Sequence, residues 1–386
     1  MKNNRTFLEK LLDGAEVEWK PLSLVTEMQR GKTITAKSAN EGKIPVISGG
    51  QKPAYYHSES NRDGKTITVA GSGAYAGYIM YWEEPIFVSD AFSIKTDESL
   101  LQIKYVYHFL LQNQQKIYAM KKGSGVPHVY PKDIGTLTIP IPPLSVQTEI
   151  VKILDALTAL TSELTSELTS ELILRQKQYE YYREKLLSFD SLEQLNSGGG
   201  KKKLIDVAYF QNGKGHEQNI DENGSFIVIN SKFISTNGAV KKYCNVQFVP
   251  LFKEDILIVM SDLPNGKALA KTFFVKEDNK YTLNQRIGRI TVKEGTELLP
   301  SFVNHFLNRN KQLTKYDNGT DQTNLRKDQI LDVVIPIPPL KEQQRIVSIL
   351  DKFETLTNSI TEGLPLAIEQ SQKRYEYYRE LLLNFS

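Results

Sequence analysis

Apolar positions recur at spacings of three, four and seven from Ile150 through Leu154, Leu157, Leu160, Leu164, Leu168, Leu172, Tyr179, Tyr182 and Leu186, with polar residues between them. That is the pattern of a helix with one buried stripe, and no Gly or Pro interrupts it from Ser145 to Ser188. At 1.5 Å per residue the helix would span roughly 65 Å, too long for one small domain to cover. A second run covers Lys341 to Asn384 through Ile346, Ile349, Phe353, Leu356, Ile360, Ile368, Tyr375, Tyr378 and Leu382, and Gly363 and Pro365 predict a kink or break in it. Two readings follow. Either the helices pair as an intramolecular coiled coil, or each packs only on its own neighbouring block.

Elsewhere the pattern changes. Short β-like runs (Thr66 to Val69, Ile86 to Ser89, Phe226 to Asn230, Ile256 to Met260, Thr272 to Val275, Arg289 to Val292) alternate with Gly, Asn, Asp and Pro clusters. Each block also predicts one helix, Ile103 to Met120 and Leu298 to Leu313. The fold class is therefore α+β, with two globular mixed blocks separated by long helices. The segment Asn196 to Lys203 (NSGGGKKK) reads as a flexible hinge by composition.

The chain is a duplication. Ile139 to Thr161 (IPIPPLSVQTEIVKILDALTALT) matches Ile335 to Thr357 (IPIPPLKEQQRIVSILDKFETLT), and Gln176 to Phe189 (QKQYEYYREKLLSF) matches Gln372 to Phe385 (QKRYEYYRELLLNF). Upstream, Leu22 through Gly31-Lys32 lies over Leu204 through Gly213-Lys214. Nearly identical helices thus carry two divergent blocks, and differences in function would sit in the blocks. IPIPPL reads as a rigid, extended entry to each helix. Within the first helix, three tandem TSEL units run from Thr161 to Leu172. A four-residue apolar period is not 3.5, so each unit acts as a stutter, and the repeat count works as a ruler of about 6 Å per unit.

The 386 residues carry a net charge of +3, too mild by itself to indicate nucleic-acid binding. Its distribution changes the picture. The first block is +3 and the second +5, while the helices are −3 and −1. Positive globules on acidic spacers suit two DNA-gripping domains, and ordinary scatter of a few charges would give the same counts.

Loop composition adds candidates of the right chemistry. In the first block these are Lys32, Gln51, Lys52, Tyr55, Ser72, Tyr75, Lys121, Lys122, Ser124 and His128. In the second they are Lys214, Asn230, Lys232, Lys267, Arg286, Gln322, Asn324 and Arg326. Asn and Gln pair with adenine and Arg with guanine through two hydrogen bonds, while Lys suits phosphate.

No catalytic constellation appears. The single cysteine, Cys244, excludes disulfide frameworks and multi-cysteine zinc sites and reads as a packed or half-exposed thiol. The five histidines never fall at metal-ligand spacing, so no metal site is expected. Gly71, Gly73, Ala76 and Asp90 match a dinucleotide fingerprint only nominally, because β-type residues follow where a helix must open. The N-terminus shows no signal-peptide pattern and no apolar run is long enough to span a bilayer, so the expectation is a cytoplasmic protein without membrane contact.

Two variable blocks, each closing with IPIPPL, Gln and ILD and followed by a helix ending in QK.YEYYRE.LL.F, make the whole chain resemble the specificity subunit of Type I restriction-modification systems. The resemblance implies two target recognition domains (1–144 and 204–340), each reading half of a bipartite double-stranded DNA sequence. Two conserved helices (145–190 and 341–386) and a linker (191–203) complete the chain. The helices would form an antiparallel coiled coil, giving a pseudo-twofold duplication, and would set the half-site spacing and dock two methylation subunits. Motor/nuclease subunits would join them, and S-adenosylmethionine, ATP and Mg would belong to those partners, leaving this chain no catalysis of its own. Leu154, Leu164, Leu168, Tyr179, Tyr182, Leu350, Phe353, Tyr375 and Tyr378 are then expected in the coiled coil or its subunit interface. The rival expectations are a self-contained nuclease or methyltransferase, and a protein-interaction scaffold or anti-restriction decoy that binds the same partners without reading DNA.

Overall fold

A computed structural model describes residues 6–195, 200–263, 268–317, 319–358 and 362–385. The chain divides into two compact units, Met1–Ser166 with Glu369–Ser386, and Glu167–Ile368. This partition cuts both long helices, where the sequence suggested five consecutive segments.

The strands of the first unit are β1 (Glu18–Pro21), β2 (Thr26–Arg30), β3 (Ile44–Ile47), β4 (Tyr55–His57), β5 (Thr66–Ala70), β6 (Ile79–Trp82), β7 (Phe87–Val88), β8 (Ala91–Thr96) and β9 (Thr138–Ile141). They form a four-stranded sheet of order β2-β8-β5-β6, a three-stranded sheet β4-β3-β7 and a pair β1-β9. β5 is buried along its whole length, as a β-branched central strand should be.

The second unit contains β10 (Lys201–Lys203), β11 (Ala208–Asn212), β12 (Phe226–Ile229), β13 (Tyr243–Cys244), β14 (Ile256–Val259), β15 (Ser261–Asp262), β16 (Thr272–Phe274), β17 (Tyr281–Leu283), β18 (Ile287–Val292), β19 (Thr323–Asn324) and β20 (Val334–Pro336). Their orders, β11-β18-β14-β16, β13-β12-β17 and β10-β20, repeat those of the first unit, including the parallel pairs β3·β7 and β12·β17. Among the described residues only β15-β19 lacks a named counterpart, and the isolated bridge Ser72↔His128 takes its place in the first unit. The duplication read from the helices therefore extends through blocks whose sequences have diverged.

Several expectations change. The predicted helix over 103–120 is two helices, Ile103–Gln112 and Gln114–Ala119, and that over 298–313 is Pro300–Leu307 and Lys311–Thr314. An asparagine marks both breaks. Asn113 and Asn310 each turn their Nδ2 back on the carbonyl four residues earlier, Phe109 and Phe306, at 2.9 Å, a local bond that competes with continuing the helix. The first half of IPIPPL is not merely an entry arm: β9 pairs with β1, and β20 with β10. That pairing also corrects the linker. Lys201–Lys203 form a strand, Lys203 Nζ pairs with Asp332 at 2.8 Å, and Phe189–Gln194 is a helix capped by Ser188 with Leu192 fully buried. Residues 196–199 lie outside the described residues.

The first long helix runs Leu144–Leu186, and the second is broken into Leu340–Asn358 and Gly363–Leu383. Ile360, assigned to the second stripe, lies outside the described residues. Gly363 has φ 80°, and a Cβ there would lie 2.7 Å from the carbonyl oxygens of Thr355 and Leu356. The break thus depends on glycine.

In each unit the two helical segments run antiparallel. In the first, Ile150, Val151 and Leu154 share a core with Leu382 and Leu383, and Thr158 Oγ1 donates to the Tyr375 hydroxyl at 3.1 Å. In the second, Tyr182 stacks on Phe353 at 5.7 Å, Tyr179 lies 6.4 Å from the same ring, and Leu186 packs with Ile346 and Leu350. Burial pushes the Tyr179 hydroxyl up to about 12.

The continuous stripe is a further correction. Leu154 and Leu350 are fully buried and Leu168 is half-buried, but Leu160 is 61% and Leu164 38% exposed. Four residues advance a helix by about 400°, so each TSEL unit rotates its leucine some 40° around the axis and the stripe leaves the seam. Tyr182 and Tyr378 sit at its exposed edge, each beside the preceding tyrosine, Tyr181 or Tyr377.

A buried glutamine fixes each block to its helix. Gln147 Oε1 accepts from Gln102 N at 2.9 Å, and its Nε2 donates to Leu100 O and Pro142 O at 3.1 and 2.8 Å. Gln343 repeats this with Leu299 N, Glu297 O and Pro338 O at 2.9, 2.7 and 2.8 Å.

A second paired device joins His108 Nε2 to Asp155 Oδ1 at 2.9 Å and His305 Nε2 to Asp351 Oδ1 at 2.7 Å. Burial holds His108 below its ordinary value, against the opposing pull of Asp155 and with Arg379 and Lys104 adding to the depression. Asp155 is also lowered: burial raises it, but hydrogen bonds from Lys104 and His108 more than offset that. The unfolded chain binds the His108 proton more readily, so its contribution is full above about pH 6.5 and is lost as pH falls through the lower folded value. The thermal midpoint of the first unit should therefore drop between pH 7.5 and 5.5, and His108→Gln should flatten that drop. An equally steep drop in the variant would assign it to other groups.

Candidate nucleic-acid interface

In the first unit the strand ends bring most of the candidate residues into one loop cluster. A tight approach seats the Gly31-Lys32 strap: a Cβ on Gly31 would fall 2.1 Å from Ser89 O, and Lys32 N donates to Val88 O at 2.9 Å. The loop after β3, carrying Gln51 and Lys52, touches the next at Gly49, where a Cβ would meet Ser72 O at 2.5 Å. The loop after β5 carries Ser72 and Tyr75, and His128 bridges both Ser72 and Lys122. Lys121 Nζ closes the ring by donating to Ala74 O at 3.1 Å while lying 4.6 Å over Tyr118. Ser124 sits in the exposed tip beside Gly123, whose φ is 110°.

Not every candidate is free to reach outward. Tyr55 is half-buried and donates to Ile34 O at 2.6 Å, Ser72 Oγ donates to Asp90 Oδ2, and Lys122 pairs with Asp133 at 2.8 Å. Lys32, Gln51, Lys52, Tyr75 and Ser124 are exposed and make no side-chain hydrogen bond or ion pair among the described residues.

The second unit repeats the frame with other side chains. A Cβ on Gly213 would fall 1.9 Å from Asn284 O, and Lys214 bridges Asn284. Asn230 Oδ1 caps the helix Ser231–Ser235 by accepting from Phe233 N at 2.9 Å, which accounts for an asparagine there without any ligand. Gln322 Nε2 donates to Ser261 Oγ at 2.7 Å, Asn324 pairs in register with Ser261, and Arg326 meets Asp328 at 3.1 Å. Lys214, Lys232, Arg286 and Asn324 are exposed without side-chain partners among the described residues, and Lys267 lies outside those residues.

Sequence reasoning passed over Asp90, which enters only through the nominal fingerprint, and over the reason for the paired glycines. Gly213→Ala should cost about 3 kcal/mol, because a methyl group against a backbone carbonyl forces the strap to move. Denaturant unfolding checks this, and an unchanged midpoint would contradict the close approach.

Cys244 is fully buried, and burial pushes its thiol up. His305, Asp351 and Glu354 bring ligand atoms within 4.8 Å of one another, and both carboxylates are exposed. Among the described residues no helix is long and apolar enough to cross a membrane.

The family model for the Type I restriction modification DNA specificity domain matches twice, over residues 16–173 and 196–370. A putative type I restriction enzyme specificity subunit of Haemophilus influenzae is 43% identical over the full length of both chains. A type I restriction enzyme specificity subunit of Escherichia coli is 31% identical, with 98% of this chain and 97% of that one covered. Among solved structures, the S subunit of the type I system of M. genitalium superposes with a TM-score of 0.52 at 19% identity, covering 97% of this chain and 98% of its own. A chain from work on complex assembly and conformational transition of the type I R-M system reaches 0.56 at 14%, covering 96% and 98%. Two copies of one sheet frame, two family matches and full-length relatives agree: this chain belongs to the family of type I restriction-modification DNA specificity subunits.

Proposed function

We propose that this chain is the DNA-reading, non-catalytic member of a type I restriction-modification complex, with each unit reading one half of a bipartite target. The observation that carries this is the repetition of one sheet frame under two unlike loop clusters, each with exposed basic and amide side chains held on rigid strand ends. Phosphate contacts by Lys32, Lys52 and Lys214 would position the duplex, and the amide, aromatic and guanidinium groups would read base edges. Two methylation subunits dock on the paired helices and motor/nuclease subunits join them, so S-adenosylmethionine, ATP and Mg enter through the partners.

Methylome sequencing of cells carrying this chain with its partner subunits tests the reading. The expected result is one bipartite motif with a fixed gap, and no methyl transfer or cleavage by the purified chain alone with Mg²⁺ and S-adenosylmethionine. Either activity from the chain alone would overturn it. Lys52→Ala should weaken binding uniformly across sequences and reduce the salt slope by about 1. An unchanged affinity and slope would favour a scaffold or decoy that binds partners without reading DNA.

A further inference from the structure

Asp90 and Arg286 occupy the same place in the two units. In the first, Ala91 pairs with Ala70, and Gly71 N donates to the Asp90 carbonyl at 3.2 Å. In the second, Ile287 pairs with Val259, and Met260 N donates to the Arg286 carbonyl at 2.9 Å. The residues one step earlier on the parallel strands also correspond, since Ser89 N donates to Ile47 O and Asn284 N to Ile229 O. Between these two points the second unit has one additional residue, Gln285.

Both residues adjoin candidate loops: Asp90 accepts from Ser72, and Arg286 follows Asn284, which Lys214 bridges. Asp90 is exposed, and its carboxylate lies beside the loops that carry Gly49 and Ser72, where a negative charge weakens phosphate attraction. Its contact with Ser72 occupies Oδ2 and leaves acceptor capacity on Oδ1. Gly71 lies beside that oxygen, where a Cβ would make ordinary contact with Oδ1 at 3.6 Å. Arg286 is exposed, has no side-chain partner among the described residues, and holds φ 66°, a left-handed conformation unfavourable for a non-glycine residue. Such strain concentrates where a side chain must be aimed.

We propose that this shared position reads one base in each half-site, and that the two units differ there in chemistry. Asp90 accepts from a cytosine N4 amino group, and Arg286 donates in bidentate fashion to guanine O6 and N7. The inference rests on the DNA-reading function proposed above and adds the base each unit selects at this position.

The methylome of the assembled complex is the assay, because a merely structural role changes the rate of modification but not the identity of a base. The wild-type motif should hold a G·C pair in both halves. Asp90→Asn should replace or relax one base in one half-site, discriminating about ten- to hundredfold less against the alternatives, with the other half and the gap unchanged. Arg286→Gln should do the same in the other half. Asp90→Glu and Arg286→Lys retain charge, cover the case of a variant that fails to assemble, and should relax the same single positions. The assignment is overturned if a half-site lacks any G·C pair, or if all four Asp90 and Arg286 variants keep every base of the motif. A wild-type complex with no bipartite motif would instead sink the DNA-reading function itself.

Discussion

Replacing Gln343 with alanine is expected to lower the thermal midpoint of the second unit by roughly 6 to 12 °C, from a loss of about 3 kcal/mol. The side chain is fully buried and makes three hydrogen bonds, to Leu299 N, Glu297 O and Pro338 O. Truncation leaves those backbone groups unpaired, at about 1 kcal/mol or more for each that water cannot reach, and removes packing at the junction of block and helix. Gln343→Glu separates the two causes. It keeps the volume and the bond from Leu299 N but sets a buried carboxylate against two carbonyl oxygens, so it should destabilise at least as much as alanine although no packing is lost. Gln147→Ala should act the same way on the first unit, and differential scanning calorimetry resolves the two if the units melt separately. A shift below about 2 °C in both variants would mean that the junction is held by packing alone.

The second large effect is on specificity. Deleting Thr169 to Leu172 should leave both half-sites intact and shorten the gap between them by one or two base pairs, since about 6 Å of helix compares with 3.4 Å of rise per pair. Modification of the original target should cease. The tract tolerates such a change because Leu160 and Leu164 are exposed and the helix Leu144–Leu186 runs unbroken through it. Deleting one residue instead would turn every following side chain by about 100° and displace Tyr179 from Phe353, so that variant should misassemble. The gap in the methylome motif is the readout, and an unchanged gap would refute the ruler.

Periodicity made the long helices legible, because a 3.6-residue pattern over many turns has few alternatives. The break at Gly363 was legible because Gly363 and Pro365 interrupt that pattern. The breaks at Asn113 and Asn310 were not: asparagine is tolerated within helices, and only its bond back to the preceding turn decides the outcome. The exposure of Leu160 was hidden because a leucine every fourth residue still counts as helical, although its phase drifts. In the site, residue type nominated most of the exposed groups, but it could not tell Asn230, which caps a helix, from Asn324, which caps nothing. The equivalence of Asp90 and Arg286 was invisible because one extra residue, Gln285, shifts the alignment there, and only backbone pairing restores it.

The first unit borrows its last elements from the far end of the chain. Leu382 and Leu383 complete its core, and the contact between Thr158 and Tyr375 closes a separation of 217 positions. The second unit is one continuous stretch, Glu167–Ile368. On a ribosome the usual order is thereby inverted: the part made second can close while the part made first still waits for its final helical turns. Until then the core that includes Ile150, Val151 and Leu154 lacks the side chains of Leu382 and Leu383, a window in which a chaperone or a helix of an assembling partner could take their place.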